Sequence, residues 1–410
     1  MVFASGMVCG LSNVALFVLF PSRLSIRIPA PAHSLLGWLQ SMDTPSACFP
    51  SGHVALPASI AMAAFLESRR GEARSEGFWR RVAGGYAVWT LALAASTLLT
   101  KQHFAPDAFA GCGFGILCAT LWPVLVRFLD GFHKPTLLAL VREWSLVAAF
   151  VWLASLGWRW PVVAVCGFAV ATRQHALLVL YHDAVHGLVA KKRRWNDLVV
   201  NLFVGVPFLL PVHLYRALHL RHHRSLGESS DPERVLLYRG QKWNYRPLPT
   251  KDLALQLAGD LFLWNNLAMA WRYFRADDRE ALNLPRTRAH PELVLEFFLV
   301  WGGVLLAWFH ASSEVGRILL LWFVPYLTLT QLLQKIRSFA EHVDPEGDAS
   351  RSCSWEPGWM GRQILWPYHI HYHREHHATA EIPWDRLPSV PPSGDRRRGR
   401  DLIHHLWRRS

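Results

Sequence analysis

The sequence has few cysteines, few charged residues and no nucleotide-binding glycine loop, and these shortages exclude several classes of protein. The six cysteines form no C-x-x-C pair and lie mostly inside apolar runs, so neither a disulfide framework nor a zinc knuckle is expected. No G-x-G-x-x-G follows a strand-like segment, which argues against a flavin or nicotinamide cofactor bound by this chain. Residues 1–20 carry no basic leader and no small-residue cleavage site, so no removable signal peptide is expected.

Apolar runs dominate the rest of the sequence. Charged residues make up 18% of the chain and hydrophobic residues 51%. The run 293–309, LVLEFFLVWGGVLLAWF, has almost none of the polar face that a helix on a soluble core would show. We therefore predict an all-α integral membrane protein, a helical transmembrane bundle of about eight spans. Runs near the roughly 20 residues that cross a bilayer are 2–20, 82–100, 107–127, 137–157, 160–181, 292–310 and 317–334.

The positive charge is concentrated in short connections and at the C-terminus. The net charge is +13, and arginine and lysine crowd into 67–81, 191–195 and 396–409. Such runs can bind nucleic acid, but in a chain this apolar they indicate a basic cytoplasmic membrane face. We expect the bilayer, and no nucleic acid, as the partner of these runs.

Two short segments in the first third place histidine beside groups that suit phosphate chemistry. In STLLTKQHFAPDAFAG (96–111), His103 and Asp107 are four residues apart and share one helical face, so the carboxylate can orient the ring and stabilise its positive charge. In FPSGHVALP (49–57), small residues before His53 allow backbone N–H groups to point at a phosphate near a helix start.

These segments resemble the type-2 phosphatidic acid phosphatase (lipid phosphate phosphatase) family, over about residues 1–130. The motif P-S-G-H is intact, and S-R-x5-H-x3-D is matched except that Thr97 replaces the arginine, as in variants related to inositolphosphoryl transferases. The first motif, K-x6-R-P, is absent, so the domain is expected to be reduced or truncated, and a remnant without activity is the alternative. The resemblance implies His103 as nucleophile, Asp107 as its orienter, His53 as the acid for the leaving alkoxide, and Ser51 and Gly52 as phosphate-binding residues.

Three histidine boxes occupy the last two thirds of the chain. They are HDAVH (182–186), HLRHH (219–223) and HREHH (373–377). Histidines at i, i+3 and i+4 point to one side of a helix, and imidazole suits iron, copper, zinc and nickel. The eight histidines of these boxes are too many for one tetrahedral zinc but suit two irons.

The boxes resemble those of the membrane fatty acid desaturase and hydroxylase superfamily, over about residues 137–390. IRSFAEH (336–342) resembles the additional histidine motif of that superfamily, and 367–388 resembles its closing segment. The resemblance implies two iron ions, O2 as co-substrate and an external electron donor of the ferredoxin or cytochrome b5 type. The implied ligands are His182, His186, His219, His222, His223, His342, His373, His376 and His377.

Further polar residues lie near these ligands. Asp183, Glu341 and Glu375 can accept the second ring N–H of ligand histidines, and exposed carboxylates without such a role are the alternative. The remaining histidines of this region fall outside the box pattern and are expected behind the ligands or at the surface; they are His213, His369 and His371.

The boxes also predict a domain organisation and a topology. We expect a phosphatase-like domain over 1–130, a diiron domain over 131–395 and a basic tail over 396–410. All boxes must share one face, so 198–212, broken by two prolines, and 254–270 are placed in the membrane interface. KKRR (191–194) makes that face cytoplasmic, as a diiron cap on the C-terminal domain, and the phosphatase-like site then lies on the outer face.

The function expected from the sequence is an O2-dependent diiron desaturase that introduces a double bond into an acyl chain of a lipid, with a possible accessory phosphatase or phosphotransferase domain. Three alternatives stay open. They are a diiron hydroxylase or ketolase acting on lipids or carotenoids, a phosphatase or phosphotransferase as the main activity, and a histidine-rich metal-handling protein.

Overall fold

The computed structural model divides the chain into two compact units, Met1–Asp130 and Gly131–Ser410. The residues it describes are 2–19, 34, 50–69, 73–99, 105–228, 230–233, 235, 248–274, 291–342 and 351–408.

The first unit consists of helices packed through small residues. Pro50 and Ser51 precede the second helix, in which Pro57 is tolerated near the start. A side chain on Gly111 or Gly115 would collide with the backbone of that helix or the residue before it, since a Cβ would lie 2.4 Å from the Ser51 carbonyl oxygen or 2.1 Å from that of Ala55. Glycine thus permits the close approach of two helices. The helices are α1 (Val2–Leu19), α2 (Gly52–Ser68), α3 (Ala73–Leu99) and α4 (Ala105–Leu129).

The second unit begins with a helical hairpin and a set of shorter helices. Every residue from Val170 to Val185 is buried, including polar residues such as Arg173, Gln174 and His175. The elements up to residue 274 are α5 (Lys134–Ser155), α6 (Trp160–Val185), α7 (Arg193–Val200), a π-helical turn (Asn201–Gly205), α8 (Val212–Arg224), β1 (Leu248–Pro249), α9 (Thr250–Leu261) and α10 (Trp264–Phe274).

A second pair of long helices and a compact closing segment complete this unit. The helix Ser312–His342 is continuous over 31 residues and contains a π-helical stretch, Tyr326–Thr330. The elements are α11 (Pro291–His310), α12 (Ser312–Pro325), α13 (Gln331–His342), β2 (Ser354–Glu356), α14 (Trp359–Ile364), α15 (His373–Ala378), β3 (Arg396–Arg398), α16 (Leu402–Leu406) and β4 (Trp407–Arg408), with 3-10 turns at Pro367–His369, Leu387–Ser389 and Gly399–Asp401.

The helices agree with the predicted all-α membrane protein. Within the described ranges, six helices are long and apolar enough to cross a bilayer, and a shorter apolar helix covers Val2–Leu16. The segments 198–212 and 254–270, which were predicted to lie in the interface, contain only helices too short to cross. The six are Ser75–Leu99, Ala105–Leu129, Lys134–Ser155, Trp160–Val185, Glu292–His310 and Ser312–His342.

Four strands of two or three residues were not predicted. They form two small parallel pairs, β1 with β4 and β2 with β3. The basic segment after residue 395 contributes one strand to each pair, so it is part of the second unit's packing.

Buried ion pairs tie the long helices of the second unit to its closing segment. Glu143 on α5 is fully buried and accepts hydrogen bonds from Arg173 on α6, at 3.1 Å, and from the hydroxyl of Tyr368. Arg173 also donates to the carbonyl oxygen of Gln363, at 2.7 Å. These contacts fasten the segment that precedes the third box to the hairpin that ends in the first box.

Candidate metal centre

The nine predicted ligand histidines lie together in the second unit. His182 and His186 are at the end of α6, and one turn of helix separates them. His342 ends α13. Helix α8 carries the second box on one side, and the single turn and a half of α15 carries the third. Four helix segments far apart in sequence therefore present imidazoles to one region.

The histidines form two groups, in each of which the ring nitrogens are close enough to hold one metal ion. In each group the ligand atoms lie within 4.8 Å of one another. The first group contains five histidines, and the second contains three, with His373 attached through contacts of its Nε2 atom at 3.2 Å from that of His342 and 3.0 Å from that of His377. The groups are His182, His186, His219, His223 and His376, and His222, His342 and His377.

Buried ring nitrogens at this centre have no hydrogen-bond partner. Among the described residues, this holds for the Nε2 atoms of His182, His186, His222 and His376. A buried polar atom without a partner is unfavourable, and several such lone pairs converging on one space are what a cation would satisfy. The residues present therefore fit two metal ions, held by imidazole nitrogen.

Burial keeps most of these imidazoles neutral, the form that binds a metal. Burial lowers the pKa of His219, His373 and His376 well below the usual value for histidine, and neighbouring imidazoles lower it further. The pKa of His223 falls to about 3 for the same reasons. His222 differs, because Glu233 and Asp231 outweigh the effect of burial and raise its pKa.

Two carboxylates at this centre were missed by the sequence analysis. Asp231 is fully buried and accepts from Nδ1 of His222, at 2.9 and 3.0 Å, while Glu233 accepts from Nδ1 of His219 at 3.0 Å. Each carboxylate fixes the tautomer that leaves Nε2 free to bind a metal. The signal available in the sequence was the D-P-E run a few residues after the second box.

The three carboxylates expected to orient ligands behave differently. Glu341 lies 3.4 Å from Nδ1 of His373, but this ring nitrogen has no hydrogen bond to any described residue, so the expected acceptance is not seen. Asp183 lies 4.0 Å from Nδ1 of His182, too far for a hydrogen bond, and accepts instead the backbone N–H of Trp384 at 2.9 Å, so it fixes the closing segment.

The expectation for Glu375 was wrong. It lies on the opposite side of α15 from the ligands and pairs with Ser354 and Arg396. Of the histidines outside the pattern, His371 is buried and its carbonyl oxygen accepts the N–H of Trp355 at 2.8 Å.

The phosphatase-like residues belong to the first unit. Ser51 is fully buried and precedes α2, its N–H donates to the carbonyl oxygen of Asp107 at 3.0 Å, and its hydroxyl has no hydrogen-bond partner in the part of the chain that the structure describes. Gly52 begins α2, and His53 in its first turn is exposed. Asp107 is buried in the first turn of α4. The structure thus brings two helix starts together, whereas His103 lies outside the described residues.

Comparison with known proteins gives a separate match for each part of the chain. The family model described as fatty acid desaturase matches residues 158–405, and that of the PAP2 superfamily matches residues 2–130.

Curated relatives match the larger part. Dihydrorhizobitoxine desaturase of Bradyrhizobium elkanii is 25% identical over 60% of this chain and 71% of its own. The sn-1 oleoyl-lipid 12-desaturase of Anabaena variabilis is 23% identical, over 58% and 68%. The human sphingolipid delta(4)-desaturase/C4-monooxygenase DES2 is 26% identical, over 67% and 81%.

Proposed function

The chain belongs to the fatty acid desaturase family, and we propose that its second unit is an oxygen-dependent diiron enzyme that introduces a double bond into an acyl chain of a membrane lipid. The observation that carries this proposal is the convergence of nine imidazoles in two groups, with buried Nε2 atoms that have no partner among the described residues.

The chain's own residues would hold and orient the metal. The five-histidine group and the second group would each bind one iron ion, with His373 completing the second. The chemistry supplied by bound iron is the activation of O2 to an oxidant strong enough to remove hydrogen from an unactivated methylene. Asp231 and Glu233 hold His222 and His219 with the Nε2 lone pairs facing inward, so little rearrangement is needed on binding.

Desaturation also needs electrons from outside the chain. Removal of two hydrogen atoms from the acyl chain and reduction of O2 to two waters consumes two further electrons and two protons. We propose a ferredoxin or cytochrome b5-type donor, because the sequence carries no dinucleotide-binding glycine motif. Lys191, Lys192, Arg193 and Arg194 are exposed directly after the first box, which supports a cytoplasmic position for the centre by the positive-inside rule.

Hydroxylation is the nearest alternative. The human relative is named as both a desaturase and a C4-monooxygenase, so one member of the family combines both outcomes. The two reactions share the first hydrogen abstraction, and the histidine centre serves either. Product analysis separates them, since hydroxylation adds one oxygen atom and desaturation removes two hydrogens.

An accessory lipid phosphatase or phosphotransferase activity is proposed for the first unit. Its support is the PAP2 match over residues 2–130 and the packing of the P-S-G-H segment against the start of α4. In this proposal the site lies on the outer face and His103 is the nucleophile. Loss of phosphate release from a lipid phosphate in His103→Ala, with acyl products unchanged, is the expected result.

The main proposal is tested on the purified full-length chain in detergent. We expect about two irons per chain in the purified protein. We also expect new unsaturated acyl chains in the lipids of cells that express it. His376→Ala should abolish both, because its ring contacts four other histidines of the first group. His404→Ala, at an exposed position, is the matched control. A single zinc in the wild-type chain, or unchanged acyl products in His376→Ala, would contradict the proposal.

A further inference from the structure

The basic C-terminal segment packs against the third histidine box. Residues 396–410 were expected to form a basic tail, and within them β3 pairs in parallel with β2, with Arg396 opposite Ser354. His405 and Leu406 are buried further along the segment. The arginine that begins β3 is therefore fixed in position beside the residues that carry the ligands.

Arg396 contacts two residues of the box region that are not ligands. Its Nη2 and Nε atoms donate to Oε1 of Glu375, at 3.1 and 3.3 Å, and its guanidinium lies over the ring of Tyr372, 4.5 Å from the centroid. Tyr372 is the N-cap residue of α15, and Glu375 lies in the first turn, on the side opposite the ligands.

Glu375 is a buried carboxylate whose two oxygens are both used. Its side chain is 1% exposed, Oε2 accepts the hydroxyl of Ser354, and Oε1 accepts from Arg396. The Ser354 hydroxyl oxygen in turn accepts the backbone N–H of Arg374, at 3.0 Å. A buried carboxylate needs a compensating charge, and Arg396 supplies the only one that contacts it among the described residues.

We infer that Arg396 is a positioning residue of the metal centre. Through Glu375 and Tyr372 it fixes the start of α15 and its side opposite the ligands. The three imidazoles of the box are thereby turned toward the metal site before any metal binds. A helix of six residues cannot hold this orientation alone, because most of its backbone N–H and C=O groups make no hydrogen bond within the helix. The inference rests on the proposed metal centre.

The test is the rate at which iron leaves the purified full-length protein. Wild type, Arg396→Gln, Arg396→Lys and Arg400→Gln are loaded with ferrous iron, and release to a colorimetric chelator is followed. Arg400 is the control, since it is exposed on the same segment. We expect Arg396→Gln to release iron at least about 10-fold faster and Arg400→Gln to match wild type. Arg396→Lys should fall between, because lysine keeps the charge but not the planar fork.

A double-variant cycle shows whether Arg396 acts through Glu375. If it does, Arg396→Gln with Glu375→Gln releases iron no faster than the faster single variant. Rates that multiply, or an Arg396→Gln protein that retains iron as wild type does, overturn the inference. A wild-type chain that binds no iron overturns the proposed function itself, so the two failures are distinguishable.

Discussion

The two units hold their helices together by different means. In the first, Gly111 and Gly115 let backbone approach backbone, and Ser5 and Ser59 share a buried hydrogen bond at 3.0 Å. In the second, buried ion pairs connect the helices, one of them between Lys335 and Asp260, whose side chains are 2% and 0% exposed.

The two kinds of contact have different roles: one holds helices together, and the other supports a functional site. Small residues and single hydrogen bonds are the ordinary means of helix association in lipid. Buried charges are expensive there and usually mark function. In the second unit they sit on the ligand-bearing helices, since Arg173 is on the helix of His182 and Lys335 is on that of His342. We conclude that the charged contacts fix the elements that position the imidazoles.

The largest effect is expected when such a charge is removed. Glu143→Gln leaves Arg173 without its ionic partner, in a place where that side chain is only 9% exposed. Breaking a buried pair in this way costs about 3–5 kcal/mol, seen as a lower thermal unfolding midpoint in detergent, with faster iron loss. Arg142→Gln is the control, because Arg142 pairs with the same carboxylate but is 56% exposed. Equal shifts for both variants would remove the proposed distinction between the units.

A smaller effect is expected from filling the helix contact of the first unit. A Cβ at Gly115 would lie 2.1 Å from the Ala55 carbonyl oxygen, so Gly115→Ala must push α4 away from α2. Overpacking of this kind costs about 1–3 kcal/mol, and faster amide hydrogen exchange over Gly52–Ser68 would report it. Iron content should not change. Gly113→Ala, with open space around the added methyl, should behave as wild type; a similar response there would show that close approach is not the cause.

The smallest effect is expected from a single interhelical hydrogen bond. Ser59→Ala removes the bond to Ser5 and should lower stability by about 0.6 kcal/mol, the mean for such bonds in membranes. Thr120→Ala serves for comparison, since among the described residues the Thr120 hydroxyl donates only to carbonyl oxygens of its own helix, at 3.0 Å. The stability of both variants is measured by chemical denaturation, with unfolding followed through amide hydrogen exchange in the first unit. A loss of several kcal/mol for Ser59→Ala would show that the first unit, like the second, depends mainly on polar contacts for its stability.

The sequence predicts the helices and the histidines that come together in the second unit, because both depend on local spacing. Histidines at i, i+3 and i+4 must share a helical face, and apolar runs of bilayer length must form long helices. The pairing of Asp231 with His222 depends on the turn between them, so helical spacing could not reveal it. Strands of two or three residues are too short for an alternating pattern.

Glu375 is the instructive error. It lies within the box, so a role beside the ligands was expected. Its position two residues after His373 places it on the other side of the helix, where only the distant segment around Arg396 supplies a partner. Helical spacing could show that Glu375 faces away from the ligands, but its partner Arg396 depends on tertiary packing.

The length of the helix Ser312–His342 has a consequence for any acyl substrate. Thirty-one residues rise about 46 Å, whereas the hydrocarbon of a bilayer is about 30 Å thick. A helix that starts near one boundary therefore carries His342, at its far end, well beyond the opposite one. For the proposed reaction, the acyl chain would have to be drawn out of the lipid layer to meet the irons. The distance between the bilayer and the metal would then determine which carbon atoms of the acyl chain lie beside the irons and lose hydrogen.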